Sequence, residues 1–123
     1  MKHHLGVTYF IFVCLALLAV LFQILIAGVA LFENYSYWEL HKAFAHFKYV
    51  YMLLFVIALF LKKHKTLIWL PLILFILANA QYYTAHGYIA ALHVVIPIFI
   101  TLLTVKLTFN SYQLFILKKV KEQ

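Results

Sequence analysis

The chain has 123 residues, 67% of them hydrophobic and 19% aromatic, against three acidic side chains. No water-soluble domain of that size can hide so much apolar surface, so lipid must cover it. A net charge of +7 would point to nucleic acid in a soluble protein; here the lysines punctuate apolar stretches, which speaks for a membrane and no nucleic-acid partner.

A spanning helix needs about 20 mainly apolar residues. Four such stretches, roughly 5–32, 37–61, 67–83 and 87–109, use nearly the whole sequence and leave a single membrane domain, 1–123. Unmet backbone polar groups cost several kcal/mol each in hydrocarbon, so the spans are expected as helices and the fold class as all-α. Met1-Lys2-His3-His4 opens the first stretch in the manner of a secretory signal. The apolar run behind it far exceeds an h-region of about 7–15 residues and has no clean small-residue cleavage site, so it reads as an uncleaved first helix. Cys14 lies inside that helix without a second cysteine to pair with. No Cys-x-x-Cys-His is present for covalent c-type haem attachment, and no glycine-rich loop for nucleotide phosphates.

The second helix is expected to start at Tyr37, because Ser36-Tyr37-Trp38-Glu39 fits the Ser-x-x-Glu capping box that satisfies first-turn amides. That start makes His41 helical. The Lys62-Lys63-His64-Lys65 run then separates the chain into two hairpins. The fourth helix opens at Gly87 or the Thr84 region and contains Pro97, which should kink it and free a carbonyl.

Lys2, the Lys62/Lys63/Lys65 cluster and Lys118/Lys119/Lys121 fall at alternate ends of the four spans, and the positive-inside bias puts all three in the cytoplasm. With short connections, the expectation is an integral membrane up-down-up-down four-helix bundle with both termini cytoplasmic. Lys42 and Lys48, just after the first outer loop, sit against this pattern.

Polar groups within spans mostly face the bundle interior and mark function. Gln23 on the first helix, His41, His46 and Lys48 on the second, Asn79 and Gln81 on the third, and His86 and His93 on the fourth all gather towards the outer side. Neutral imidazole is an axial ligand of haem iron, and two of them on facing helices can hold haem in a bundle. Helices 2 and 4 run the same way; His41 lies five residues beyond Ser36 and His93 six beyond Gly87, so at about 1.5 Å per residue their depths match within a turn. His46 and His86 are the runner-up ligands. Ala90 and Ala27-Gly28 leave space for a flat macrocycle or for close helix packing. Lys48, seven residues from His41, would share its face and pair with an anionic group such as a propionate.

Each feature also has a plainer reading. Buried histidines can simply bond a neighbouring carbonyl or Gln, and Gln23, Asn79 and Gln81 can act as interhelical glue worth about 1 kcal/mol each. His3, His4 and His64 stand beside lysines at expected cytoplasmic ends, where they are solvated. Trp38, Tyr82, Tyr83 and Tyr88 form an outer aromatic belt. The four imidazoles could also hold zinc or copper without haem, although no carboxylate or Cys accompanies them. The chain has no Asp, and Ser36, Ser111 and the threonines show no nucleophile–base arrangement, so independent catalysis is not expected.

The order Gln23…Ala27-Gly28, Glu39-Leu40-His41-Lys42, Gln81, Ala91-Leu92-His93 resembles one four-helix half of haem A synthase. It also resembles small four-span bacterial membrane proteins with a Trp-x-x-His and a Leu-His, here Trp38…His41 and Leu92-His93. The resemblance covers roughly residues 20 to 105. It implies haem b ligated by His41 and His93, with Gln23, Gly28 and Gln81 around the cofactor. Synthase chemistry is not implied, because the synthase has two such halves and its acidic residue precedes the helix-2 His by three positions, whereas Glu39 precedes His41 by two.

The expectation is a multi-pass, b-type cytochrome-like protein of the bacterial cell membrane, serving electron transfer, haem handling or sensing. Its partners would be the lipid bilayer and a quinone or redox protein, with oligomerisation open. The alternative is a non-haem structural or accessory subunit, an assembly factor or immunity-type protein, whose histidines bond only within the bundle.

Overall fold

A computed structural model describes residues 2–61, 64–85 and 87–117, with side chains from His4 onward. Lys62, Lys63, His86, Lys118, Lys119 and Lys121, and the side chains of Lys2 and His3, lie outside the described residues.

The described chain is helical, with no strand among these residues. Helix α1 covers Lys2–Phe32; α2 covers Tyr37–Phe44 and passes through a 3₁₀ turn, Ala45–Lys48, into α3, Tyr49–Leu61. Helix α4 is Lys65–Tyr83, and a 3₁₀ turn at Gly87–Ile89 leads into α5, Ala90–Tyr112, which ends in a π turn at Gln113–Leu117. Four helical segments, His4–Phe32, Tyr37–Leu61, Lys65–Tyr83 and Gly87–Leu117, are long and apolar enough to cross a membrane. They match the expected spans except that the last runs beyond 109 and the second is broken at 45–48.

Helix α2 does begin at Tyr37, but not through the expected capping box. Ser36 is already helical, at φ −60 and ψ −23, and its side chain caps nothing, because a cap residue needs extended backbone to reach the first-turn amides. The Asn34 carboxamide accepts the Ser36 N–H at 2.9 Å instead, an Asx turn that starts the chain winding. Glu39 pairs with Lys42 one turn on. At the other loop, Gly87 takes φ +76, a conformation that costs an L side chain about 1 kcal/mol or more.

In cross-section the helices form a four-sided ring. Helix α1 packs on α5, α5 on α4, α4 on α3 and α3 back on α1, with α2 lying against α1. The diagonals stay apart: among the described residues no Cα of α2 or α3 comes within 8 Å of α5, nor any of α1 within 8 Å of α4. The helices are apolar all round, so their outer faces are as hydrophobic as their inner ones; Leu18, Leu25, Phe60, Ile76, Val94 and Leu102 are among the exposed side chains, as expected of helices bathed in lipid.

The inner seam repeats at spacings of three and four. Tyr9, Val13, Ala16 and Val20 meet Tyr51, Leu54, Ala58 and Leu61, with Leu67, Leu70, Leu74 and Ala78 and then Ile100, Thr104, Leu107 and Ser111 completing the core. This is the pattern of near-parallel helices packed ridge into groove. Small residues recur in it, which lets backbones approach where lipid tails compete equally for apolar side chains.

Each proline inside a helix lacks the N–H that would bond the carbonyl four residues earlier. For Pro71 that carbonyl belongs to Leu67, and the buried Tyr9 hydroxyl donates to it at 2.9 Å from across the diagonal. For Pro97 it belongs to His93, and Gln81 Nε2 donates to it at 2.6 Å. Both freed groups are therefore satisfied by a side chain of another helix, as a dry environment requires.

Candidate functional site

The polar side chains singled out in the sequence come together at one end of the bundle. Gln23 of α1, His41 of α2, Gln81 of α4 and His93 of α5 are all partly buried there, one from each of the four spans. His41 and His93 come from diagonally opposed spans, and their rings meet across the bundle axis with centres 6.5 Å apart and planes inclined at 64°. The Cα atoms of α2 and α5 stay more than 8 Å from each other, so at this end it is side chains that approach across the diagonal.

Each histidine is held by a glutamine of a neighbouring helix. Gln23 Nε2 donates to the His41 carbonyl at 3.0 Å and lies 3.4 Å from His41 Nε2. Trp38 closes the other side of the His41 ring, edge to face at 5.3 Å. The lock on His93 is reciprocal: the Gln81 side chain donates to the His93 carbonyl at 2.6 Å, while His93 Nδ1–H donates to the Gln81 carbonyl at 2.8 Å. Thr84 adds its hydroxyl to that same Gln81 carbonyl at 2.9 Å. A neutral imidazole that donates from Nδ1 to a backbone carbonyl keeps the Nε2 lone pair free, which is how histidines are oriented for metals.

Among the described residues three buried side-chain atoms have no hydrogen-bond partner: Gln23 Oε1, His41 Nδ1 and Gln81 Oε1. All three belong to this cluster. Unpaired buried polar atoms cost about 1–3 kcal/mol each, so this cluster keeps hydrogen-bonding capacity that its neighbours leave unused. Neutral imidazoles are metal ligands, and His41 and His93 are the residues that would hold a metal centre at this end.

The remaining expected residues are disposed differently. His46 is exposed, bonded through Nδ1 to the Ala43 carbonyl at 3.0 Å and stacked on Tyr49, apart from the pair. His86 falls outside the described residues. Lys48 lies with its ammonium 4.8 Å from the centre of the Tyr82 ring and 5.8 Å from that of Tyr49. The 3₁₀ turn accounts for that position: at three residues per turn rather than 3.6, Ala45–Lys48 adds about 80° of rotation and carries Lys48 off the His41 face. A Cβ added to Gly28 would meet no atom within 4 Å, so this glycine provides room and not the close helix contact that was its alternative role. Asn79 bonds back to the Phe75 carbonyl of its own helix at 2.8 Å.

The sequence reading missed Thr84 and the pairing of Pro97 with Gln81. The signal for the second was present, since counting four back from Pro97 lands on His93 itself.

Residues 23–87 match the DUF6220 family, described as a family of unknown function; they make up more than half of the chain, which belongs to that family. The match begins at Gln23, contains His41, Gln81 and Thr84, and ends before His93. No curated protein and no solved structure matches the chain.

Proposed function

We propose that this DUF6220 member is a bacterial cell-membrane protein that binds haem b between His41 and His93, near the outer leaflet, for electron transfer, haem handling or sensing. The observation that carries the reading is the meeting of two imidazoles from diagonal spans at 6.5 Å, one of them with Nδ1 committed to a backbone carbonyl. The concentration of unpaired buried atoms around the same two rings supports it. Haem held there would supply one-electron redox chemistry at the iron.

The chain's own residues have definable tasks in this reading. His93, through Nε2, and His41, whose Nδ1 is the ring nitrogen without a partner among the described residues, would hold the metal. Gln81 and Thr84 fix the His93 tautomer, and Gln23 fixes the position of the His41 main chain. Of the two lysines at this end, Lys42 is engaged with Glu39, whereas Lys48 is held only by ring faces and is the cation left for a propionate.

The accompanying topology is up-down-up-down with both termini in the cytoplasm. Gln23 pairs with His41 and Gln81 with His93 at one end, Tyr51 with Thr104 midway, and Tyr9 with Leu67 and Phe115 at the other, a sequence of levels that supports the alternation. The lysines of the chain, seven of ten of which flank the spans at the Tyr9 end in sequence, support its orientation through the positive-inside bias.

An absorption spectrum tests the proposal. Protein purified from cells with adequate haem should show a Soret band and the sharp reduced α-band of low-spin haem b, since two imidazoles form a strong ligand field. Colourless protein that also fails to take up added hemin overturns the reading and leaves the non-haem accessory subunit in its place.

A further inference from the structure

The end of the bundle away from the histidine pair carries a second polar feature that the proposed function does not use. Between the start of α4 and the end of α5 lies a groove of about 220 Å³ lined by His64, Thr66, Leu67, Asn110, Gln113 and Leu114. Its four polar side chains make no hydrogen bond to any other described residue, although polar side chains on membrane helices ordinarily find a partner.

Depth shows what the groove faces. The hydrocarbon core takes about 20 helical residues, and counted from Gly87 these end near Leu107, so Asn110 and Gln113 stand one turn or so further, in the headgroup layer. Helix α4 has 19 residues and spans that core with nothing to spare, so His64 and Thr66 at its start share the same layer. The groove therefore opens at the level where phospholipid phosphates lie. Its surroundings are cationic: Lys65 adjoins it, Lys106 lies one turn before Asn110, and among the described residues the two acidic side chains, Glu33 and Glu39, are at the opposite end. The α4 amides at the groove add the positive end of a helix dipole.

From this convergence of a polar groove, interfacial depth and uncompensated positive charge, we propose that the groove binds the phosphate of an anionic phospholipid headgroup. Asn110, Gln113, Thr66 and His64 supply hydrogen bonds and Lys65 the charge, while Leu67 and Leu114 pack against the start of an acyl chain. Clefts of this kind between transmembrane helices are where cations select anionic lipids. The proposal does not depend on haem.

The full-length protein, purified in mild detergent, is incubated with phosphatidylglycerol or phosphatidylcholine and read by native mass spectrometry. Phosphatidylglycerol should be retained about fivefold or more over phosphatidylcholine, the gain of roughly one cation at a membrane surface. The Asn110→Leu/Gln113→Leu variant should lose that preference, and Gln113→Glu, which places a carboxylate in the groove, should reverse it. Lys42→Ala at the opposite end should keep it, and circular dichroism should show every variant as helical as the parent. Equal retention of the two lipids, a preference unchanged in both groove variants, or full displacement of the lipid by millimolar inorganic phosphate would each overturn the proposal, the last by making free phosphate the ligand.

Discussion

The two ends of this bundle are built from the same apolar alphabet and packed in opposite ways. From Tyr9 to Val20, Tyr51 to Leu61, Leu67 to Ala78 and Ile100 to Ser111 every inward position is buried. Beyond Val20 and before Tyr51 burial nearly stops: α2 has no buried residue, and only Ile26, Ala30 and Thr84 are buried in the corresponding end. Inside the closed end the buried hydroxyls are matched, Tyr51 with Thr104 at 2.7 Å and Tyr9 with the Leu67 carbonyl. The open end holds all three unmatched ones. The difference separates two tasks. One end holds the helices in register, and that rigidity lets the other keep imidazoles and amides in place without packing them shut.

The sharpest way to break the comparison is at the histidine pair. Replacing His41 or His93 by Ala should abolish haem retention or turn the spectrum high-spin while leaving helical content intact, as read by absorption and circular dichroism. If the open end were instead the structural one, either change would unfold the protein. A closed-end counterpart is Leu74→Ala, which hollows a fully buried position. It should lower unfolding stability in mixed micelles by about 2 kcal/mol or more, with the spectrum unmoved.

Tyr9→Phe removes only a hydroxyl, yet strands the carbonyl freed by Pro71. A loss of about 1 kcal/mol is expected in the same unfolding titration; no loss would mean that carbonyl is not dry. The smallest effects belong to the rim. His46→Ala and Lys42→Ala touch exposed groups, and should change stability by about 0.5 kcal/mol or less with the low-spin spectrum kept.

Much of this contrast was legible in the sequence, for different reasons at each end. The spans follow from hydrophobic length, and the apposition of His41 with His93 from counting residues down two helices that enter at the same level. The break at Ala45–Lys48 was not legible, because no glycine or proline stands there to announce it. A contact beside it is tertiary: Phe44 lies edge to face on Phe22 of α1 at 5.0 Å. The position of Lys48 was lost with it, since a face deduced from seven-residue spacing holds only along uninterrupted α-helix. Gly6 was passed over as well, though a Cβ there would stand 2.5 Å from the Phe115 ring; that contact depends on the π turn that brings Phe115 round, which hydropathy does not encode.

The two prolines bear on how the chain assembles. A helix inserted alone with Pro71 or Pro97 carries one main-chain oxygen that lipid cannot solvate. Apolar side chains gain little by leaving lipid for a neighbouring helix, so they cannot tell a correct neighbour from an incorrect one. An oxygen met by Tyr9, and another met by Gln81, can. They act as addresses: the third span is recognised by the first and the fourth by the third, each at one rotation and one depth. Spans with few charges inside them can thus sort their own neighbours, and the second of these addresses is written on His93, the residue that faces His41.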